Sequence, residues 1–232
     1  MEQTNNCTMT GVGELASRLF HRKITRVRFR LPMSVAQASN VLLAAVQAEV
    51  VYRRRTFSMT DALSGQISRM AAWLTDDSAR FAAVLCGGCG NGKTTLVKAF
   101  RNLLGYLNIP VPDTHGKVWG LRLCDAKETA YLARTNYESF LSLMRVPMLA
   151  IDDVGIEPLE VVEYGNVVSP MVELLTKRYD EQLFTLMTTN LTPEGIRKRY
   201  GDRIANRLNE MAVVIPFKNP SYRTDNVMQV VE

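Results

Sequence analysis

A glycine-rich stretch in the first half of the chain decides the fold: it reads Gly87-Gly88-Cys89-Gly90-Asn91-Gly92-Lys93-Thr94. This is a complete GxxxxGK[ST] phosphate loop, whose glycines let backbone N–H groups close around phosphate oxygens. The apolar run 81–86 before it is typical of a buried parallel strand, and residues 94–100 after it have helical periodicity. Strand, loop and helix therefore follow in the order that predicts a nucleoside triphosphate site.

The side chains of this loop have separate expected roles. Lys93 is expected to reach the β and γ phosphates, and the Thr94 hydroxyl to bind Mg²⁺. The start of the following helix adds unpaired N–H donors and the positive end of the helix dipole. A chance glycine-rich turn would not explain why strand, lysine, threonine and helix all agree. The residues expected to contact the nucleotide are Gly87, Gly88, Cys89, Gly90, Asn91, Gly92, Lys93, Thr94 and Thr95.

Two carboxylates follow the apolar run 148–151, at the predicted carboxyl end of a buried strand. Ligands of α/β sheets bind at that end. We expect Asp152 to hold Mg²⁺ through a water and Asp153, which points elsewhere, to polarise the attacking water. The alternative is an ordinary loop, where paired carboxylates are also common.

The next predicted strand ends in Asn190, which should lie beside these carboxylates. Its amide can sense a γ-phosphate or the attacking water. The alternative, a helix cap, is less favoured because Thr192 already supplies a cap, with Pro193 at the first helical position.

Arg203 and Arg207 are four residues apart and are predicted to share a helix face. Such a pair can present guanidinium groups to phosphate, and from a subunit surface it could complete a neighbour's active site. The alternative is surface charge or ion pairing.

Length and composition predict one main α/β domain with an N-terminal extension. The chain has 232 residues, of which 47% are hydrophobic. No apolar run reaches the ~18 residues that cross a bilayer, and the polar start lacks the order of a signal peptide. A cytoplasmic location without membrane partners is expected.

The four cysteines, Cys7, Cys86, Cys89 and Cys124, are scattered and do not suggest a disulfide framework. Cys86 and Cys89 form a CxxC. A zinc or redox function would use the loop that must wrap phosphate, and no second pair completes four ligands.

The basic character lies in the first 56 residues, which hold nine Lys/Arg and three Asp/Glu, whereas the net charge of the chain is +5. Residues 24–31 alternate and predict a half-buried strand bearing Arg26, Arg28 and Arg30. A helix from Ser34 to about Tyr52 and the cluster 53–55 follow. We predict a partner- or DNA-binding region at 1–56 and an ATPase domain at 57–232; a solvated basic face is the alternative.

A second amphipathic helix, 59–74, leads into the phosphate-loop strand. Beyond the loop, strand and helix patterns alternate, which predicts a parallel sheet flanked by helices. The predicted segments are 118–124, 126–144, 148–151, 167–179, 184–187, 192–200, 204–211 and 212–217.

Five motifs in this order and spacing resemble the DnaC/IstB-like branch of AAA+ ATPases, which includes bacterial replicative helicase loaders and transposition helper ATPases. The motifs are GGCGNGKTT (87–95), MLAIDDVG (148–155), LMTTN (186–190), YGDRIANRL (200–208) and SYR (221–223). The resemblance covers roughly residues 57–223. It implies a P-loop NTPase of the AAA+ type, with Arg207 as arginine finger, Arg203 as a neighbouring basic position and Asn190 as sensor 1. Because only residues 218–232 follow the last predicted strand, no full helical lid is expected.

The resemblance implies a Mg²⁺-dependent ATPase of the helicase-loader type that assembles with copies of itself on single-stranded or duplex DNA. ATP would switch its hold on a replicative helicase. A transposition helper acting with a transposase is the alternative on the same fold. A small-molecule P-loop kinase, or a structural module with a vestigial site, would be of another class. The client and the role of Arg223 stay open.

Overall fold

A five-stranded parallel sheet, in the order β2-β3-β6-β1-β7, organises the computed structural model. The structure describes residues 10–22, 28–76, 80–112, 114–163 and 165–223. Its elements are α1 (Thr10–Arg22), α2 (Val35–Tyr52), α3 (Asp61–Thr75), β1 (Ala82–Gly87), α4 (Lys93–Leu107), β2 (Arg122–Asp125), α5 (Ala126–Thr135), α6 (Tyr137–Met144), β3 (Met148–Val154), β4 (Val161–Glu163), β5 (Asn166–Val168), α7 (Pro170–Asp180), β6 (Phe184–Thr189), α8 (Pro193–Tyr200), α9 (Asp202–Met211) and β7 (Ala212–Phe217). The predicted α/β class with a helix-flanked parallel sheet is confirmed.

Both faces of the sheet are covered, which explains why β1 and the first four residues of β3 are continuously apolar. Successive side chains of β1 alternate between two apolar clusters: Ala83 and Leu85 pack with α2, α3 and α4, whereas Ala82 and Val84 pack with α5 to α9. The order of strands places β6 between β1 and β3. Residues that follow β6 therefore lie between the phosphate loop and the carboxylates that end β3.

Helix α2 begins as predicted at Ser34, where a capping box with Gln37 closes its first turn. Its buried residues are Ala38, Leu42, Val46 and Glu49. Tyr52, the last residue of α2, is 84% exposed and lies off this buried face. The apolar cluster of α2 also includes residues of α3 and α4. The division of the chain at residues 56 and 57 stays a prediction.

Phe29 and Leu31 are buried as the alternating pattern predicts, but residues 28–31 form no strand. The prediction of a strand is wrong for these four residues; residues 24–27 lie outside the described part of the chain. An aromatic cluster explains the burial, because Phe29 packs against Phe100, Trp119 and Phe184, and Trp73 packs against Phe184. Side-chain packing, not strand pairing, holds this segment.

Three predicted segments differ from the structure. Strand 118–124 is shorter, since β2 begins at Arg122 and Val118 only bridges to Pro110. Helix 126–144 is two helices, because Asn136 ends α5 and its side chain caps α6. The predicted start of helix 167–179 instead pairs as β5 with β4, and α7 begins at Pro170.

Arg178 of α7 is fully buried and joins three elements. Its guanidinium donates to the carbonyl oxygens of Met144, the last residue of α6, and Val146, just after it, at 3.1 and 2.9 Å. It also donates to the Phe184 carbonyl oxygen and to the Thr185 hydroxyl at the start of β6, at 2.5 and 2.8 Å.

No helix in the described ranges is long and apolar enough to cross a membrane.

Candidate functional site

The phosphate loop connects β1 to α4 along a path that needs glycine. A Cβ at Gly87 would lie 2.1 Å from the Phe217 carbonyl oxygen, so only glycine lets β1 pass this close to the end of β7. Gly90 has φ +76°, a left-handed conformation that side chains disfavour. The predicted strand–loop–helix arrangement is therefore present, with α4 beginning at Lys93.

Lys93 lies at the centre of the loop and is buried. Its Nζ donates to the carbonyl oxygens of Gly87 (2.8 Å) and Gly88 (2.6 Å), and it contacts the side-chain oxygens of Asn91 (3.1 Å) and Asn190 (2.9 Å). An ammonium has three N–H groups, so four oxygens saturate it. Burial lowers the pKa of Lys93, and nearby anionic groups, including Asp153 and Asp152, raise it in part.

Asp152 accepts two hydroxyl hydrogen bonds on the same oxygen. Thr94 donates to Asp152 Oδ1 at 2.9 Å, and Thr188 donates to that atom at 2.5 Å. The pairing of β3 with β6 shifts register between Ile151 and Val154, and such an irregularity re-aims the side chains within it. Thr94 and Asp152, predicted to share a metal ion, are therefore brought into contact.

Asp153 lies within the same irregularity, with φ +55°. Its backbone N–H donates to the Thr188 hydroxyl at 2.8 Å, so Thr188 holds both aspartates. Burial raises the pKa of Asp153, as does the charge of Asp152, while Lys93 and Arg223 lower it. Thr188 belongs to the LMTTN motif, which predicts no role for it. Its place between Met187 and Thr189, which pair with Ile151 and Val154 on either side of the irregularity, became visible only in the fold.

A C-terminal segment, residues 217–223, lies against the loop. Asn91 donates to the Phe217 carbonyl oxygen (2.8 Å), Asn219 donates to the Asn91 carbonyl oxygen (3.1 Å), and the Tyr222 N–H donates to the Gly90 carbonyl oxygen (2.9 Å). Asn219 and its partner Gln66 were not predicted. Residues 218–223 contain no helix, and residues 224–232 lie outside the described part.

The two arginines of α9 differ in their surroundings. Arg203 is exposed. The Arg207 side chain is only 15% exposed, donates to Asp180 Oδ1 at 3.2 Å and lies over the Tyr179 ring at 4.8 Å. Its contacts are thus with α7 and not with the phosphate loop of the same chain.

The oxygen-rich arrangement of Thr94 and Asp152 fits Mg²⁺, a hard cation that usually takes one or two protein ligands and completes its shell with water and phosphate. Within the described ranges no group of three or more His, Cys, Asp or Glu could hold a metal by itself. Cys86 and Cys89 are free thiols, and Cys89 accepts a hydrogen bond from Asn190 at 3.4 Å.

A cavity of about 550 Å³ lies at the opposite, amino end of the strands, among Arg28, Arg30, Trp119 and Phe184. Arg28 donates to Gln182 and lies over the Phe81 ring. The predicted arginine stripe is therefore half-buried at Arg28 and Arg30 and packed on the sheet; Arg26 is not described.

A phosphate loop after β1, two carboxylates at the end of β3 and an asparagine that follows β6, the strand between them, define a P-loop ATP-binding protein of the AAA+ type. The IstB-like ATP binding protein family model matches residues 34–230, and the chain belongs to this family. No curated protein matches it.

Two solved structures illustrate the similarity of fold. The crystal structure of the DnaC helicase loader shares 17% identity and a TM-score of 0.52, covering 70% of this chain and 94% of that chain. The crystal structure of the DnaI shares 20% identity and a TM-score of 0.52, covering 70% and 88%. At these identities the likeness is one of fold.

Proposed function

We propose that the protein is a Mg²⁺-dependent ATPase of the helicase-loader type, which assembles with copies of itself on DNA and uses ATP to switch its hold on a replicative helicase. The observation that carries the ATPase part is the convergence of Lys93, Thr94, Asp152 and Asn190 through direct hydrogen bonds. The partner part rests on the resemblance to helicase loaders.

Each side chain has a task in this proposal. Lys93 exchanges its contacts with the loop carbonyls for phosphate oxygens, while Thr94 and Asp152 would hold the metal ion. The chemistry that Mg²⁺ would supply there is neutralisation of the charge that develops on the phosphate. Asp153 takes a proton from the attacking water, and Asn190 orients that water. Arg207, which contacts no phosphate-loop residue of its own chain, reaches the site of a neighbouring subunit.

Removal of the lysine tests the nucleotide site. Lys93→Ala should abolish ATP binding, and Asp153→Asn should retain ATP binding and lose hydrolysis. Nucleotide titration and phosphate release measure the two effects separately. Equal turnover in wild type and Asp153→Asn would remove Asp153 from the mechanism.

Subunit mixing tests the neighbour-supplied arginine. Specific activity should rise with protein concentration, and a mixture of Arg207→Ala with Lys93→Ala should recover activity. In that mixture one variant supplies the nucleotide site and the other supplies Arg207. Concentration-independent turnover without recovery would assign Arg207 to its own subunit or to the surface.

Binding to DNA should depend mainly on phosphate contacts. Affinity should fall steeply between about 50 and 200 mM salt and be strengthened by ATP. Single-stranded and duplex oligonucleotides of equal length distinguish the candidates, since a transposition helper should coat duplex DNA. That second candidate is kept because the matching family model is the IstB-like one. Binding that ignores salt would contradict both.

A further inference from the structure

Glu157 is a buried carboxylate outside the proposed nucleotide site. It lies in the turn that leaves β3, four residues after Asp153, and is 2% exposed. Its Oε2 accepts a hydrogen bond from the Gly155 N–H at 2.8 Å, and the Ile156 N–H donates to the Asp153 carbonyl oxygen at 3.3 Å. One oxygen of Glu157 therefore fixes the backbone next to Asp153.

The other oxygen faces the end of α8. Glu157 Oε1 accepts a hydrogen bond from the Tyr200 hydroxyl, and the Arg199 guanidinium lies 3.6 Å from the same oxygen. Arg199 also donates to the Glu157 carbonyl oxygen. Tyr200 is the last residue of α8, and only Gly201 separates it from α9, which carries Arg203 and Arg207.

The surroundings hold this link in place. A buried carboxylate is costly unless hydrogen bonds and an opposite charge satisfy it, and Glu157 has both. Burial, followed by the hydrogen bond with Glu157, raises the pKa of Tyr200 well above its ordinary value, which keeps the hydroxyl as the donor. On the other side of the turn, a Cβ at Gly155 would lie 2.7 Å from the Leu191 side chain, which directly follows Asn190.

We propose that Glu157 is a positioning residue that fixes the end of α8 and the start of α9 against the turn after Asp153. The inference rests on the proposed function above. One buried contact then fixes the positions of two parts of a subunit: its own water-activating Asp153, and the helix α9 that presents Arg203 and Arg207 to a neighbour. Loosening this contact should disturb both, without touching the phosphate loop that binds ATP.

Two variants break the link from opposite ends: Glu157→Ala removes the carboxylate, and Tyr200→Phe removes only the hydroxyl. Glu160→Ala, in the same loop but exposed, is the matched control. We expect kcat to fall about ten- to a hundredfold in both variants, since small misplacements of catalytic groups have costs of this size. The Kd for ATP should stay within about twofold, and Glu160→Ala should match wild type. A lowered melting temperature with unchanged kcat would assign Glu157 to stability alone and overturn the inference.

Subunit mixing separates coupling from a local effect. With Lys93→Ala as partner, Glu157→Ala must supply the nucleotide site; with Arg207→Ala as partner, it must supply the arginine. Both mixtures should recover less activity than the reference pair, Arg207→Ala with Lys93→Ala, and the Tyr200→Phe mixtures should behave likewise. Full recovery in either mixture would show that Glu157 positions only one element and would overturn the coupling.

The same experiment distinguishes failure of the inference from failure of the proposed function. If wild type hydrolyses no ATP, the proposed function fails. If wild type is active but the reference pair recovers nothing, the neighbour-supplied arginine is wrong, and the coupling falls with it. If both are active and Glu157→Ala equals wild type, the inference alone fails.

Discussion

Thr188 shows how one hydroxyl contacts two acidic residues of the site. It donates to the carboxylate of Asp152 and accepts from the backbone N–H of Asp153. Groups that orient a metal ligand are worth roughly ten- to a hundredfold in metal affinity. Thr188 should therefore influence the binding of the proposed Mg²⁺ ion at Asp152.

The variant Thr188→Val tests this at similar size. The Mg²⁺ concentration for half-maximal ATPase activity should rise about tenfold, because Asp152 loses the donor that aims it. Titration of MgCl₂ at saturating ATP measures the shift. Metal-free ATP binding is the control and should be unchanged; an unaltered Mg²⁺ requirement would show that Asp152 is aimed by other contacts.

At this scale the sequence predicted which residue types meet but not how they meet. Lys93, Thr94, Asp152 and Asn190 lie together as their motif spacing implied. Asn219 could not be assigned from sequence, because its contact with Asn91 spans 128 residues and carries no motif. Arg207 was predicted to face a neighbour, whereas its contact with Asp180 depends on how α7 and α9 pack.

At the scale of elements, the C-terminal segment packs against the phosphate loop and supports it. Tyr222 bonds to Gly90 through its backbone and contacts Thr60, the cap of α3, through its hydroxyl at 3.1 Å. A Cβ at Gly90 would lie 2.1 Å from the Ser221 hydroxyl. The loop, the segment and α3 are thus tied together.

Two glycine substitutions distinguish the contact between the phosphate loop and the C-terminal segment from a general effect of adding a methyl group near α4. Gly90→Ala should weaken ATP binding, because it strains a left-handed residue and displaces Ser221. Gly105→Ala, which meets nothing within 4 Å inside α4, should leave binding unchanged and add about 0.5–1 kcal/mol of stability. Isothermal titration and urea unfolding give the two values. Equal ATP affinity in wild type and Gly90→Ala would mean that the Ser221 side chain can move away without affecting the nucleotide site.

Element boundaries were predicted well where periodicity was long and caps were clear, as at Ser34 and Thr192. They failed where a short segment took its structure from a partner. Residues 167 and 168 were predicted to begin a helix but pair with β4, and residues 28–31 alternate like a strand but are held by aromatic packing. Local patterns contain no information about such neighbours.

At the scale of the whole molecule, buried Arg178 joins α6, α7 and β6 through hydrogen bonds to the carbonyl oxygens of Met144, Val146 and Phe184. A lysine cannot reproduce its planar set of donors. Arg178→Lys should reduce the free energy of unfolding by roughly 3 kcal/mol, because buried carbonyl oxygens lose their hydrogen bonds.

Urea unfolding measures this loss, with Arg69→Lys on the exposed face of α3 as the control. That control should change stability by less than about 0.5 kcal/mol. If Arg178→Lys were as stable as wild type, the carbonyl groups at the end of α6 would have to find water or new donors.

The aromatic cluster also has a spectroscopic consequence. The chain has two tryptophans, Trp73 and Trp119, and both belong to this cluster near the amino ends of the strands, away from the phosphate loop. Their indole emission should be that of a shielded environment and shift to longer wavelength when the sheet opens. Intrinsic fluorescence is thus a label-free signal of unfolding. ATP binding occurs at the opposite edge of the sheet and should hardly change this emission.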